Sequence, residues 1–132
     1  MKIDLFLPFP PTINSYYTKT RNGVYLSKRG RTFHLAGIES IQEQLGAMEP
    51  IEDGIHLSII FYPPDSRIRD LDNYIKPVQD VMTKSGVYKD DSLIHQLAIY
   101  QGTQCKPKGL TFVRLRDCAP ILSNTAEHRA LI

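Results

Sequence analysis

Residues 55–62 carry an apolar side chain at every second position, between two stretches that interrupt regular structure. The stretch 50–54 begins with proline and ends with glycine, and Pro63-Pro64 follows the alternation, where proline cannot donate to a sheet ladder. A period of two is typical of a strand and puts four apolar side chains on one face: Ile55, Leu57, Ile59 and Phe61. We therefore predict a strand here, and the fold must contain a sheet.

Four further segments are predicted to be strands. Residues 2–7 begin with the same alternation, and residues 24–26 follow the tight-turn signal Asn22-Gly23. Residues 94–101 and 110–115 predict two more strands, joined by the polar turn 102–109. Strands therefore occur on both sides of the central one in the sequence.

Two main helices are predicted. Ser27 is expected to cap the first, which runs to about Met48. Its apolar side chains recur at helical spacing, with two more that widen the stripe: Phe33, Ala36, Gly37, Ile41, Leu45, Met48, then Leu35 and Ile38. The second begins at Asp72 or Asn73, both good N-caps, and ends near residues 84–86. A short helix over residues 124–131 is expected in the tail, which begins at about 117.

Length and composition limit the class of protein. Residues 1–132 are expected to form a single domain, with a core that needs no disulfide. Cys105 and Cys118 lack metal-ligand spacing and are expected to be free thiols of a reducing cytoplasm. No window predicts a transmembrane helix, the N-terminus does not resemble a signal peptide, and no glycine-rich phosphate loop predicts a nucleotide cofactor.

The distribution of charge is more informative than its sum. The net charge of +2 is too small to indicate a nucleic-acid partner. Residues 1–40, however, contain six Lys and Arg against two acids, whereas residues 41–65 contain five acids and no Lys or Arg. A basic face beside an acidic one suits a protein that holds phosphates near a metal. An unevenly charged but merely solvated surface accounts for the composition equally well.

The stretch 67–76, Arg-Ile-Arg-Asp-Leu-Asp-Asn-Tyr-Ile-Lys, is the strongest candidate for chemistry. The spacing of Asp70 and Asp72 sends both carboxylates to one side of an extended segment, and Lys76 follows one helical turn later. The strand from residue 94 can return Asp90 and Asp91 to them. Converging carboxylates repel one another unless a cation lies between them, which favours a Mg²⁺ site with a lysine beside the bound phosphate.

Ordinary structural roles explain the same residues one by one. Asp72 can be a helix cap, and Asp70 can pair with Arg67 or Arg69 at the surface. Lys76 can form a helical ion pair with Asp80, and the adjacent aspartates at 90 and 91 suit a turn. For any single pair these readings are favoured, because a lone Asp-x-Asp is common by chance.

A second candidate surface combines tyrosines with basic residues. Such side chains stack on nucleobases and bind phosphates, although tyrosines in a hairpin are more often packing residues. The candidates for DNA contact, together with the arginines of the acidic stretch, are Asn14, Tyr16, Tyr17, Lys19, Arg21, Lys28, Arg29, Arg31, Arg67 and Arg69, and Tyr25 belongs to the same patch.

The run Arg69-Asp70-Leu71-Asp72-Asn73-x-x-Lys76, continued by Asp80, Thr83-Lys84, Gly86 and Asp90-Asp91, resembles the RusA family of Holliday junction resolvases. The segment 7–17 is similar to the N-terminal segment of that family. The resemblance implies an α+β fold, a small domain with a mixed β-sheet and two main helices that forms a homodimer. It also implies a Mg²⁺-dependent endodeoxyribonuclease, for which Mn²⁺ can substitute. Its substrate would be branched DNA, namely four-way junctions, in the cytoplasm of a bacterium or phage-infected cell.

Carried over by position, the resemblance assigns catalysis and metal binding to Asp70, Asp72 and Asp91, with Lys76 in a supporting catalytic role. Asp90 is expected to be an auxiliary acid, and Asp80 is expected on the helix surface. Two other functions are compatible with the residues. One is a non-catalytic module that binds branched DNA, and the other is a metal-dependent transferase that holds a nucleotide diphosphate.

Overall fold

A four-stranded mixed sheet forms the centre of the protein. The computed structural model describes residues 1–119 and 121. The sheet contains β1 (Lys2–Leu7), β4 (Ile55–Tyr62), β5 (Ile94–Gln101) and β6 (Leu110–Asp117), and a separate hairpin contains β2 (Tyr17–Thr20) and β3 (Gly23–Leu26). The strand order is β1-β6-β4-β5, with β5 parallel to β4 and the other pairs antiparallel. The predicted mixed sheet is confirmed.

One face of the sheet is buried beneath the helices. Side chains of β4 alternate between buried and half-buried along its whole length, as the period of two predicted. Leu5 pairs with Val113 and Leu57 with Leu115 across the sheet, and all four are fully buried. Burying such side chains stabilises the fold by about 1.5–3 kcal/mol each.

Three helices complete the described fold: the single turn α1 (Ile13–Tyr16), and the main helices α2 (Lys28–Leu45) and α3 (Ile75–Lys84). The Ser27 hydroxyl accepts a hydrogen bond from the Gly30 amide at 2.9 Å, as expected of the predicted N-cap. At Gly37 a β-carbon would lie 2.7 Å from a methyl carbon of Val81, so the missing side chain lets α2 and α3 approach closely. This contact fixes α3, which carries part of the candidate site.

Several predicted boundaries were wrong. The first main helix ends at Leu45 rather than Met48, because Gly46 has a φ of 64°, in the left-handed region where glycine ends helices. Leu35 does not widen its apolar stripe, since 67% of the side chain is exposed. The last strand continues to Asp117 rather than residue 115. The predicted turn 102–109 does connect the last two strands in the chain, but in the sheet β4 lies between β5 and β6.

Two local elements were not predicted, namely the turn α1 and the strand β2 that pairs with β3. The short helix expected over residues 124–131 lies outside the described residues. None of the helices in the described ranges is both long and apolar enough to cross a membrane.

Candidate active site

Asp65 organises the loop that leads from β4 to the acidic stretch. Its carboxylate accepts hydrogen bonds from the Arg67 backbone amide at 3.0 Å and from the Arg67 guanidinium at 3.0 Å, and it pairs with Arg69 at 2.8 Å. These bonds, led by the two from Arg67, lower the pKa of Asp65 to about 2. Arg67 and Arg69 therefore pair with Asp65, and the expected alternative of an ion pair with Asp70 is not observed.

Asp70 and Asp72 remain exposed at the start of a 3₁₀ helix, Leu71–Tyr74, that leads directly into α3. The prediction that Asp72 or Asn73 caps the helix was wrong, because Asp70 occupies the N-cap position and its backbone carbonyl accepts from the Asn73 amide at 3.1 Å. The Asp70 side chain makes no capping hydrogen bond. Within the described ranges neither carboxylate forms an ion pair, so both are available to a cation from solution.

Asp91 is held by two side chains of α3. Lys76 lies in the first turn of this helix, and its Nζ is 3.2 Å from Asp91 Oδ2. The Thr83 hydroxyl, two turns further on, donates to Asp91 Oδ1 at 2.6 Å. The hydrogen bond to Asp91 raises the pKa of Lys76, which stays protonated at neutral pH. Lys76 pairs with Asp91 rather than forming the alternative helical ion pair with Asp80.

Tyr88 and Asp90 build the turn that presents Asp91. Tyr88 is buried and donates to the Gln79 carbonyl at 3.1 Å, and burial, followed by the nearby Asp91 charge, raises the pKa of its phenol. The Asp90 carboxylate accepts from the Ser92 amide at 2.9 Å, and the hydrogen bonds from Ser92 lower its pKa. Asp90 thus caps the 3₁₀ turn Asp91–Leu93, the structural role expected of an aspartate in a turn.

The carboxylates suit a hard divalent cation in their chemistry, although this structure does not assemble all of them. Asp70 and Asp72 offer exposed oxygen donors two residues apart, and Mg²⁺ is commonly bound by one or two carboxylates with waters and substrate phosphates. In residues 1–119 and 121, however, no three His, Cys, Asp or Glu side chains form a group that could hold a metal. The donor set therefore fits Mg²⁺ through this pair, while Asp91 lies with Lys76 and Thr83.

The prediction that Asp80 lies free on the helix surface was wrong. Its Oδ2 accepts a hydrogen bond from the Tyr16 hydroxyl at 2.8 Å, and the same hydroxyl is 3.2 Å from His34 Nδ1. Burial, followed by the hydrogen bond to Asp80, raises the pKa of Tyr16. These three side chains connect α1, α2 and α3. Tyr16 is fully buried, so it is not available to stack on a nucleobase as predicted.

The other predicted DNA-contact residues lie mostly on the surface. Tyr17, Lys19 and Arg21 are exposed on the β2–β3 hairpin and its turn, and Asn14 is exposed in α1. The first turns of α2 expose Lys28, Arg29 and Arg31, although Arg31 also donates to the Leu26 carbonyl at 2.8 Å. Arg67 is exposed, whereas only 13% of the Arg69 side chain is.

Sequence reasoning missed the roles of Asp65 and Thr83. For Asp65 a signal existed, because an aspartate that follows two prolines and precedes an amide two residues later is typical of an Asx turn. For Thr83 the signal was its place in the motif that resembles the RusA family and its helical spacing from Lys76, but only the folded chain brings Asp91 to it.

Comparison with known proteins identifies relatives over most of the chain. The family model described as Endodeoxyribonuclease RusA matches residues 8–115. The crossover junction endodeoxyribonuclease rusA of Enterobacteria phage HK97 is 29% identical over 111 residues, which are 84% of this chain and 91% of that protein. Proteins of the same name from Escherichia coli (strain K12) and Shigella sonnei (strain Ss046) are 32% identical over 91 residues, 67% of this chain and 72% of each. The span of the family match includes Asp70, Lys76 and Asp91.

Proposed function

The chain belongs to the RusA family of endodeoxyribonucleases, and from this membership we propose that it resolves four-way DNA junctions by paired symmetric nicks. Relatives named crossover junction endodeoxyribonuclease cover most of its length, which supports the substrate class. The proposal places the protein in DNA recombination and repair.

The observation that carries the proposal is the contact between Lys76 Nζ and Asp91 Oδ2 at 3.2 Å. Asp91 is fifteen residues from Lys76 in the sequence, and Lys76 lies in the first turn of α3, four residues after Asp72. This ion pair ties Asp91 to the helix that directly follows Asp70 and Asp72 in the chain. An ammonium group and exposed carboxylates suit phosphodiester cleavage, in which the protein must meet the phosphate charge and hold a cation.

We assign Mg²⁺ binding to Asp70, Asp72 and Asp91, with Mn²⁺ as a substitute. When bound, such a metal supplies Lewis-acid activation of water and of the phosphate. The contribution of the chain is to present Asp70 and Asp72 at the surface and to orient Asp91. Thr83 orients Asp91, and Lys76 stays protonated beside it, where its charge can meet a phosphate oxygen.

The proposed active form is a homodimer. Resolution of a junction requires two nicks related by symmetry, and a two-fold dimer supplies two active sites with matching symmetry. DNA contacts are assigned to the exposed basic residues of the hairpin and of α2: Lys19, Arg21, Lys28, Arg29 and Arg31, with Asn14, Tyr17, Arg67 and Arg69 beside them. Such phosphate contacts would select junctions by backbone shape.

The test uses the Asp70→Asn, Asp72→Asn and Asp91→Asn variants. Binding and cleavage of a synthetic four-way junction are measured with and without Mg²⁺, and linear duplex serves as the control substrate. Cleavage should fall by at least about 100-fold, whereas binding should persist, because removing a carboxylate reduces repulsion of phosphate. Full cleavage by the Asp70→Asn and Asp72→Asn proteins would refute the assignment.

The same assay tests the alternative of a non-catalytic protein that binds branched DNA. That alternative predicts salt-sensitive binding of the junction by the unaltered chain and no nicking at any Mg²⁺ concentration.

A further inference from the structure

A groove runs along the N-terminal prolines from the start of α2 to the loop that precedes Asp70. It consists of two adjoining cavities of about 490 Å³ and 280 Å³. Both cavities are lined by Phe9, Pro10, Pro11, Arg29 and Pro64, so they form one continuous depression. The larger cavity lies within the range of roughly 300–1,000 Å³ that is typical of small-ligand sites.

The floor of the groove is apolar and held in place by tertiary contacts. The Phe9 ring lies 5.1 Å from the ring of Tyr74 and 6.1 Å from that of Phe61, and the Arg69 guanidinium lies 5.5 Å from the Phe9 ring centroid. Prolines have no side-chain rotamers to lose on binding. A flat aromatic ligand would therefore meet a preformed surface at little entropic cost.

Every charged side chain that lines the groove is basic. Lys28, Arg29 and Lys108 surround the larger cavity, and Arg67 and Arg69 lie along the smaller one. Within the described residues no Asp or Glu lines either cavity. An apolar floor with a basic rim is complementary to a nucleotide, which combines a flat base with a phosphate.

The groove also leads to the proposed chemistry. Its smaller cavity is lined by the run Arg67, Ile68 and Arg69, and the next residue is Asp70. A DNA strand whose scissile phosphate lies at Asp70 would therefore pass its neighbouring nucleotide over the loop towards the prolines.

Resting on the proposed function, we propose that this groove holds one unstacked nucleotide next to the scissile phosphate. The base lies against Phe9 and the prolines, and Arg29 and Lys28 contact the flanking phosphates. In this way the groove selects the position at which the strand is cut and favours the bases that fit against Phe9.

The test reports base extrusion without cleavage. Four-way junctions carry 2-aminopurine at one of the two positions on either side of the cut, and fluorescence is measured on binding in EDTA. The Thr32→Phe variant fills the larger cavity from the exposed second turn of α2. The matched control is Leu35→Phe on the same helix, where the side chain is 67% exposed and does not line the groove.

At one position the unaltered protein and Leu35→Phe should raise the fluorescence at least about threefold, and Thr32→Phe should abolish the rise. Thr32→Phe should also cut that junction at least about tenfold more slowly. A rise that is the same in all three proteins, or absent at every position, would overturn the proposal. Failure of the proposed function would be distinct from this, because it would leave the unaltered protein unable to nick any junction in Mg²⁺.

Discussion

Thr83→Val removes one hydroxyl from the candidate site and keeps the shape of the side chain. The hydroxyl has a single proton, and its 2.6 Å contact with Asp91 Oδ1 is shorter than its 3.0 Å contact with the Gln79 carbonyl. The shorter distance is typical of a charge-assisted hydrogen bond, so the proton is assigned to Asp91. In the variant, Lys76 alone orients this carboxylate.

The expected effect follows from the strength of that bond. Hydrogen bonds to charged groups contribute about 1.5–3 kcal/mol, and the low end applies because 32% of the Asp91 side chain is exposed. If the bond orients Asp91 for the reaction, a loss of about 1.5 kcal/mol slows cleavage about tenfold. Affinity for the junction in EDTA should stay the same, because Thr83 makes no predicted DNA contact.

Single-turnover cleavage of a four-way junction in Mg²⁺ measures this rate. Ser85→Ala is the matched control, because the Ser85 hydroxyl at the end of α3 donates to the Val81 carbonyl at 2.7 Å and makes no hydrogen bond to Asp91. A second control adds Thr83→Val to Asp91→Asn. If Thr83 acts only through Asp91, this addition costs less than about twofold.

The reasoning would be refuted by a Thr83→Val protein that cleaves within twofold of the unaltered rate. It would equally be refuted by a tenfold loss that Ser85→Ala reproduces, since the loss would then reflect a general weakening of α3.

Three further outcomes are expected. Tyr16→Phe leaves the buried side of Asp80 without its donor and should lower the free energy of unfolding by about 1–3 kcal/mol in urea titrations. Asp65 has a folded pKa of about 2, below its unfolded value, so its contribution to stability is present above about pH 4 and is lost as the pH falls towards 2. In Asp65→Asn the melting temperature should therefore depend less on pH between about 4 and 2. If Lys19 and Arg21 contact phosphates, replacing both with alanine should reduce the slope of log affinity for the junction against log salt by about 2.

Each of these outcomes has a matched control. Tyr25→Phe removes an exposed hydroxyl and should change stability by less than about 0.5 kcal/mol. Asp53→Asn changes an exposed carboxylate and should leave the acid limb of the stability curve as it is. Lys2→Ala on the edge strand β1 removes a positive charge far from the hairpin in sequence and should not change the salt slope. If a control variant gave the same result as its test variant, the corresponding explanation would be contradicted.

Local sequence patterns predicted where several of the strands begin and end, but not how they pair. The bounds of β1, β4 and β5 match the predicted ones, because alternation, proline and glycine act on the backbone within a few residues. The order of the strands was not predictable in this way. Whether β6 pairs with β4 or with β5 depends on which apolar faces are buried together beneath α2 and α3, and this is a property of the whole fold.

The candidate site, too, was predictable from the sequence only in part. Residue types and spacing indicated Asp70, Asp72, Lys76 and the pair Asp90-Asp91, and the family resemblance singled out Asp91. The ion pair considered for Lys76 from the sequence was the helical one with Asp80. The structure pairs Lys76 with Asp91, because the turn after α3 brings Asp91 alongside that helix, within reach of Lys76 and Thr83. Asp80 lies four residues after Lys76, the spacing of a helical ion pair. It instead accepts a hydrogen bond from Tyr16 of α1.

By itself, then, the sequence determined where the main elements lie, the acidic motif and the class of chemistry, because each depends on residues close together in the chain. Only the tertiary structure decided that Tyr16 is buried, that Thr83 reaches Asp91 and that the prolines line a basic groove. Most of these contacts join residues distant in sequence, and their partners are chosen by the burial of apolar surface in the whole fold rather than by local spacing.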